Sequence, residues 1–201
     1  MKYSSSKSKA KLYIGDRDSA AFLQLRSRSC AHVVNCQEDQ HGLSRENDIE
    51  YLNCDPDVDP NYCFINAIKF IDSALTKGHN VTVLCQNGLG KSAVLVLYYL
   101  MQKNSSSLAD SHRLLTKTRK NKSLNIKPDL MNLLISEEKK LRKKISVRLD
   151  GRKVVYLDEI PGVDRSKKRV SGGGSVLIPL TVFVVCVAAL YGILLFVTGK
   201  A

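Results

Sequence analysis

The stretch VTVLCQNGLGKSAVLVLYYLM, from Val81 to Met101, restricts the fold more than any other part of this chain. An apolar run enters a glycine-bearing loop, and the loop opens onto a second apolar run of helical length. Strand, tight loop and helix together make a cradle for an oxyanion. Backbone N–H groups converge in the loop, and the helix N-terminus adds positive potential. Two unrelated chemistries use this layout. In one, Cys85 is a nucleophile; in the other, Gly90, Lys91 and Ser92 close a nucleotide-binding loop.

The residues around the cradle define its setting. KLYIG (Lys11 to Gly15) reads as a short strand, Ser19 to Leu25 as a helix, and AHVVNC (Ala31 to Cys36) as a second strand. A charged loop follows from Gln37 to Asp48, then a third strand, IEYLNC. Asp55, Asp57 and Asp59 alternate with Pro56, Val58 and Pro60 in an acidic loop. From Tyr62 to Thr76, Phe64, Ala67, Ile68, Ile71 and Leu75 recur at helical spacing. Helices are also expected over Ser92 to Gln102, Leu108 to Thr118 and Asp129 to Arg142, the last with Pro128 at its start. This alternation specifies an α/β domain. Beyond it, ISVRL and RKVVYL flank Asp150-Gly151, a pair that tolerates the positive φ of a two-residue hairpin turn.

At 201 residues the chain is long enough for one domain with a proper core. Its net charge of +12 favours anionic partners. The basic residues do not interleave with aromatics, so nucleic acid is not expected among them. Six cysteines include no C-x-x-C pair, which predicts free thiols in a reducing compartment and no metal site. MKYSSSKSKAK has no apolar core and does not read as a secretory signal.

From Val176 to Val197 the chain carries no charge, and at ~1.5 Å per residue a helix of that length reaches roughly 33 Å. The expectation is a single-pass C-terminal anchor with the α/β domain in the cytosol, on the endoplasmic reticulum or the mitochondrial outer membrane. The run KKLRKK, Lys139 to Lys144, is a candidate contact for anionic lipid, at about 1 kcal/mol per charge near a headgroup surface. The expected organisation is a basic arm (1–10), the α/β domain (11–144), a hairpin and flexible linker (145–175), the anchor (176–197) and a short tail (198–201).

The nucleotide reading needs a first glycine where Cys85 stands. VVYLDE, Val154 to Glu159, would then have to supply a magnesium-binding carboxylate. The nucleophile reading needs converging amides, a fixed cation, and a hydroxyl to help the thiolate leave. Cys85, Gly88, Lys91 and Ser92 hold the spacing C-x-x-G-x-x-cation-Ser.

These residues resemble the dual-specificity branch of the cysteine-based protein tyrosine phosphatases. The resemblance runs in order from Lys11 to Leu141, through LYIG, VVNC, FIDSAL, the loop itself, YYLMQ, and the closing Arg119, Pro128 and Leu133. It implies a central mixed, mostly parallel sheet flanked by helices, no cofactor and no metal, and a phosphorylated protein as partner. It places Cys85 as nucleophile, Ser92 as the hydroxyl beside the leaving thiolate, and Asp55 as general acid with Asp57 in reserve. Gln86, Asn87, Gly88, Leu89, Gly90 and Lys91 become the phosphate-binding residues.

Two positions depart from the family pattern. Leu84 replaces a histidine and Lys91 replaces an arginine. Lysine is a point charge without the planar fork that grips two phosphate oxygens. Loss of one preorganised donor at such a site costs on the order of a hundredfold to a thousandfold in rate. Leucine cannot order the loop by hydrogen bonding, which predicts a raised Cys85 pKa. Two readings stand: a membrane-anchored phosphatase with impaired turnover on phosphotyrosine, phosphoserine or phosphothreonine proteins, and a pseudophosphatase that binds phosphate without turning it over. A scaffold domain in which Cys85 is an ordinary buried thiol is the third, and a nucleotide-binding loop the fourth.

Overall fold

The computed structural model describes residues 10–20, 25, 28–37, 48–120, 123–159 and 183–186. Strands β1 (Lys11–Gly15), β2 (Cys30–Asn35), β3 (Glu50–Asn53) and β4 (Asn80–Leu84) form a sheet with β7 (Phe183–Cys186) in the order β3-β2-β4-β1-β7. All of these pairings are parallel, so the described sheet is parallel rather than mixed. Parallel strands need long crossovers. Helix α1 (Pro60–Thr76) makes the crossover between β3 and β4, and α2 (Lys91–Lys103) follows β4. Helices α3 (Leu108–Thr118) and α4 (Pro128–Arg142) pack with α2.

Periodicity accounts for the packing. Phe64, Ala67, Ile71 and Leu75 fall on one face of α1 and are buried, as their spacing requires. Asp59 caps this helix by accepting the N–H of Tyr62 at 2.9 Å, and Pro60 occupies its first turn. Helix α2 is apolar almost all round and is correspondingly buried from Ser92 to Leu97. The segment expected as a helix over Ser19 to Leu25 opens as a 3₁₀ turn at Arg17–Ala20, and most of the remainder lies outside the described residues.

Register sets up the functional edge. Gly15 and Asn35 both pair with Leu84, and Asn53 pairs with Asn35. Four strands therefore end at one level. The residues that follow them, Asp16, Cys36, Cys54 and Cys85, emerge side by side at the carboxyl edge, where ligands of open parallel sheets bind.

Strands β5 (Val147–Asp150) and β6 (Lys153–Tyr156) form the antiparallel hairpin. Its two turn residues are Gly151 and Arg152, one place later than Asp150-Gly151, because the single positive φ falls on Gly151 at 58°. The hairpin is fixed to the helices. Buried Glu138 accepts from the N–H of Leu108 and from both N–H and Oγ of Ser146, at 2.7–2.8 Å. The Tyr156 hydroxyl lies 2.8 Å from Nδ1 of His112, and Arg113 stacks over the Tyr156 ring.

Among the described residues no helix is long and apolar enough to cross a membrane. Most of the apolar run Val176–Val197 lies outside them, as do the arm and the glycine-rich linker. Phe183–Cys186 departs from the expected continuous helix and pairs with β1 as an edge strand. Without this strand β1 would be the sheet edge, and a segment rich in valine has the β propensity to cover it.

Candidate active site

The loop Cys85 to Gly90 is held from three directions. Gly15 at the end of β1 accepts the N–H of Cys85 at 3.3 Å, and the N–H of Arg17 reaches the Gln86 carbonyl at 3.4 Å. On the far side, Asn125 donates its N–H to Leu89 at 2.8 Å. Gly88 has φ +65°, and a Cβ there would come within 2.8 Å of the Gly15 carbonyl and 3.0 Å of Nη2 of Arg119. No other residue type fits this position without moving backbone.

Cys85 is only 3% exposed, and its Sγ lies 3.0 Å from Oγ of fully buried Ser92. Helix α2 starts at Gly90 with no side-chain cap, which leaves its first N–H groups available. Burial alone would push the Cys85 thiol up. Hydrogen bonds from the Ser92 hydroxyl and from the N–H groups of Ser92, Gly90 and Asn87 outweigh it, and the pKa lies below the ordinary value. The expectation of a raised pKa is thereby corrected. The loop amides and Ser92 favour the thiolate without any help from a histidine at position 84. Leu84 points elsewhere, fully buried in a small apolar cluster with Leu25, Cys30 and Val33.

Lys91 does not point freely at the loop. Its Nζ donates to Oδ2 of Asp55 and lies 3.2 Å from Oδ2 of Asp57. Asp57 is also bound by Lys127 at 2.7 Å. Burial would raise the Asp57 pKa, but the hydrogen bonds and charges of Lys127 and Lys91 hold it below the usual carboxylate range. The Lys91 pKa is raised, because the two carboxylates outweigh its partial burial. Asp55 accepts twice, from Lys91 at Oδ2 and from the N–H of Asp57 at Oδ1.

A cavity of about 460 Å³ opens over the sulfur. Of the residues expected from sequence, Cys85, Gln86, Asn87, Gly90, Lys91 and Asp57 line it. Ser92 lies beneath the sulfur, and Asp55 stands behind Lys91. Arg17, Cys36, Gln37, Asn125 and Lys127 line it too, and motif reading missed them. Arg17 and Gln37 follow strand ends that register with Leu84, so the strand order was the missing signal. Arg17 donates to the Gln37 side chain at 3.1 and 3.2 Å.

At the end of β3, Cys54 hydrogen-bonds Cys36 and Cys63, while Cys36 shares the cavity wall with Cys85. The nucleotide reading fails on geometry. Asp158 of VVYLDE is clamped by Arg113 at 2.7 and 3.1 Å beside the hairpin, and Lys91 is engaged with Asp55. No group of side chains suited to a metal ion occurs among the described residues.

A thiolate-favouring cysteine at the end of a central parallel strand, backed by a hydroxyl and a helix N-terminus, defines the cysteine-phosphatase class of α/β domain. Residues 12–140 match the dual specificity phosphatase catalytic domain, and the chain belongs to that family. Human dual specificity protein phosphatase 9 is 31% identical over 137 residues, covering 65% of this chain and 35% of its own. The protein-tyrosine-phosphatase IBR5 of Arabidopsis thaliana is 28% identical over 134 residues, covering 61% of this chain and 46% of its own. The chain thus spans less than half the length of these two curated relatives. Among solved structures, human DUSP28 superposes with a TM-score of 0.57 at 23% identity, over 66% of this chain and 94% of that one. The human tyrosine phosphatase-like serine/threonine/tyrosine-interacting protein gives 0.56 at 22% identity, over 63% and 90%. These two likenesses bear on the fold.

Proposed function

We propose that this protein binds the phosphoryl group of phosphorylated proteins in the Cys85 loop and turns it over slowly. The observation that carries this reading is a pairing. Cys85 sits beside Ser92 with its pKa below the ordinary thiol value, while Lys91, the cation that the oxyanion requires, is held by Asp55 and Asp57. Attack on phosphorus is provided for by Cys85, and departure of the thiolate by Ser92. Protonation of the leaving oxygen is not, since Asp55 and Asp57 are both engaged with Lys91.

In the reaction, Cys85 Sγ would attack the phosphorus and break its bond to the ester oxygen, which would leave as an alkoxide or phenoxide and take its proton from solvent. Loop amides and Lys91, acting from its place beside Asp55, would take up the charge of the non-bridging oxygens. Water would then cleave the thiophosphate and return the thiolate, with the Ser92 hydroxyl donating to the departing sulfur. Gln86, Asn87 and Leu89 add no cation to the loop, which favours phosphoprotein over polyanionic lipid headgroups.

The membrane reading of Val176–Val197 is part of this proposal. Its uncharged length suits one bilayer crossing and would hold the domain at a cytosolic membrane face. Pairing of Phe183–Cys186 with β1 and insertion as a helix are alternative uses of the same run. Flotation of the full chain with liposomes, lost on deletion of residues 176–197, tests it.

The enzymatic reading is tested by hydrolysis of an aryl phosphate and a phosphotyrosine peptide. Weak native activity that Cys85→Ser abolishes and Lys91→Arg raises is the expected result. Oxyanion binding with no Cys85-dependent turnover would favour the pseudophosphatase reading. Activity unchanged by Cys85→Ser would refute the site assignment.

A further inference from the structure

Within the loop, the Asn87 carboxamide occupies a telling position. Its Oδ1 accepts the N–H of Leu89 at 3.1 Å and lies 3.7 Å from Cys85 Sγ. One oxygen is thus presented to a loop amide and to the candidate nucleophile together. That is the relation a non-bridging oxygen of a phosphoryl group would need while the sulfur attacks its phosphorus. The Asn87 side chain itself is exposed at the cavity wall, so nothing packs it there.

We propose that Asn87 is an internal occupant of the phosphate cradle and the residue that sets which oxyanions enter. This rests on the reading that the Cys85 loop binds phosphate. The Asn87 side chain is then a competitor of the ligand, while the Asn87 N–H stays among the loop donors. A neutral carboxamide oxygen is a weaker acceptor than an anionic one, because hydrogen bonds to an ionised partner are roughly twice as strong. Phosphate monoesters displace it, whereas ligands offering only neutral oxygens do not. The carboxamide has χ freedom to swing out, since its remaining contacts are with solvent.

An ordinary turn-stabilising role for Asn87 predicts different behaviour. Asparagine and aspartate both close such turns by accepting the N–H two residues on. If stabilising the turn were all that Asn87 did, Asn87→Asp would preserve oxyanion binding and Asn87→Ala would weaken it. Displacement of an internal competitor predicts the reverse order. Alanine empties the cradle, and aspartate puts a fixed negative charge beside the incoming anion.

The experiment is calorimetric titration of tungstate into the full chain in mild detergent at neutral pH, for the native protein, Asn87→Ala and Asn87→Asp. Thermal unfolding of each variant is measured alongside. The expected result is binding about three- to tenfold tighter for Asn87→Ala, the yield of one released neutral hydrogen bond, and at least about tenfold weaker for Asn87→Asp. Asn87→Ser, which keeps a short acceptor, should fall between native and alanine. Native binding with an unchanged or weakened Asn87→Ala overturns the inference and leaves the phosphate-site reading intact. Absence of binding in all the folded proteins overturns both.

Discussion

Lys91 donates to Asp55 across the mouth of the Cys85 loop, and the other Asp55 oxygen accepts the N–H of Asp57 at 2.9 Å. Lys91, the cation of the loop, is thus partnered by Asp55, the residue that the sequence resemblance suggests as general acid. This places the cation and the carboxylate in each other's service.

One consequence concerns leaving groups. General acid catalysis contributes about a hundredfold or more to a step that expels a poor leaving group. With Asp55 and Asp57 held as acceptors, phosphate esters of acidic phenols should turn over about a hundredfold faster than phosphotyrosine or phosphoserine peptides. A series of aryl phosphates plotted against phenol pKa would give a steep slope. A flat slope would mean that an acid operates.

The thiols should separate by reactivity. Burial pushes Cys30 and Cys36 up, and hydrogen bonding within the Cys36, Cys54 and Cys63 group pushes Cys54 and Cys63 up, whereas Cys85 lies low. Thiolate is the reactive form, so alkylation of Cys85 by iodoacetamide should rise with pH to a plateau with a midpoint below the ordinary thiol value of about 8.5. Ser92→Ala, which removes a donor to the sulfur, should move that midpoint upward. The pH profile of carboxamidomethylation at Cys85, read by mass spectrometry, checks both.

Restoring the family histidine should not help by itself. Leu84 is fully buried among Leu25, Cys30 and Val33. Leu84→His places a polar ring in that cluster and should cost about 1–3 kcal/mol of stability, seen in urea unfolding. Gly88→Ala meets the Gly15 carbonyl and Arg119 at a positive φ. Tungstate binding should then be lost, while the fold is weakened by about 1–3 kcal/mol.

The hairpin should respond to acid. Burial first, and the charge of Arg113 second, keep the His112 pKa below its ordinary value. Between that ordinary value of about 6.5 and the lower folded value, the unfolded chain binds a proton that the folded chain does not. Stability therefore falls as pH drops below about 6.5, and His112→Asn should remove part of that slope. His32, lowered mainly by burial, supplies a second share. Urea unfolding at pH 7 and about pH 5.5 measures the difference.

The sequence made the strands and helices around the loop legible, because apolar spacing at Phe64, Ala67, Ile71 and Leu75 and the run Val81 to Leu84 answer directly to burial. Cys85, Gly88 and Ser92 were legible for a related reason, since their spacing maps onto one loop and one helical turn. Lys91 was not readable in this way. Its partners come from a loop more than thirty residues earlier, and only strand register brings Asp55 and Asp57 beside it. The Cys85 pKa was misjudged because the expectation rested on the missing histidine alone, whereas the Ser92 hydroxyl and the N–H groups of Ser92, Gly90 and Asn87 together outweigh burial. Arg17 and Gln37 became visible only once β1 and β2 were seen to end level with β4.

The most direct measurement is steady-state hydrolysis of an aryl phosphate by Asp55→Asn beside vanadate inhibition of the same protein. Asparagine cannot act as a general acid, but it removes one of the two carboxylates that hold Lys91. The account predicts tighter vanadate inhibition, with kcat within about threefold of native. A fall in kcat of about a hundredfold or more, the loss expected when a working general acid is removed, with vanadate affinity unchanged, would contradict it.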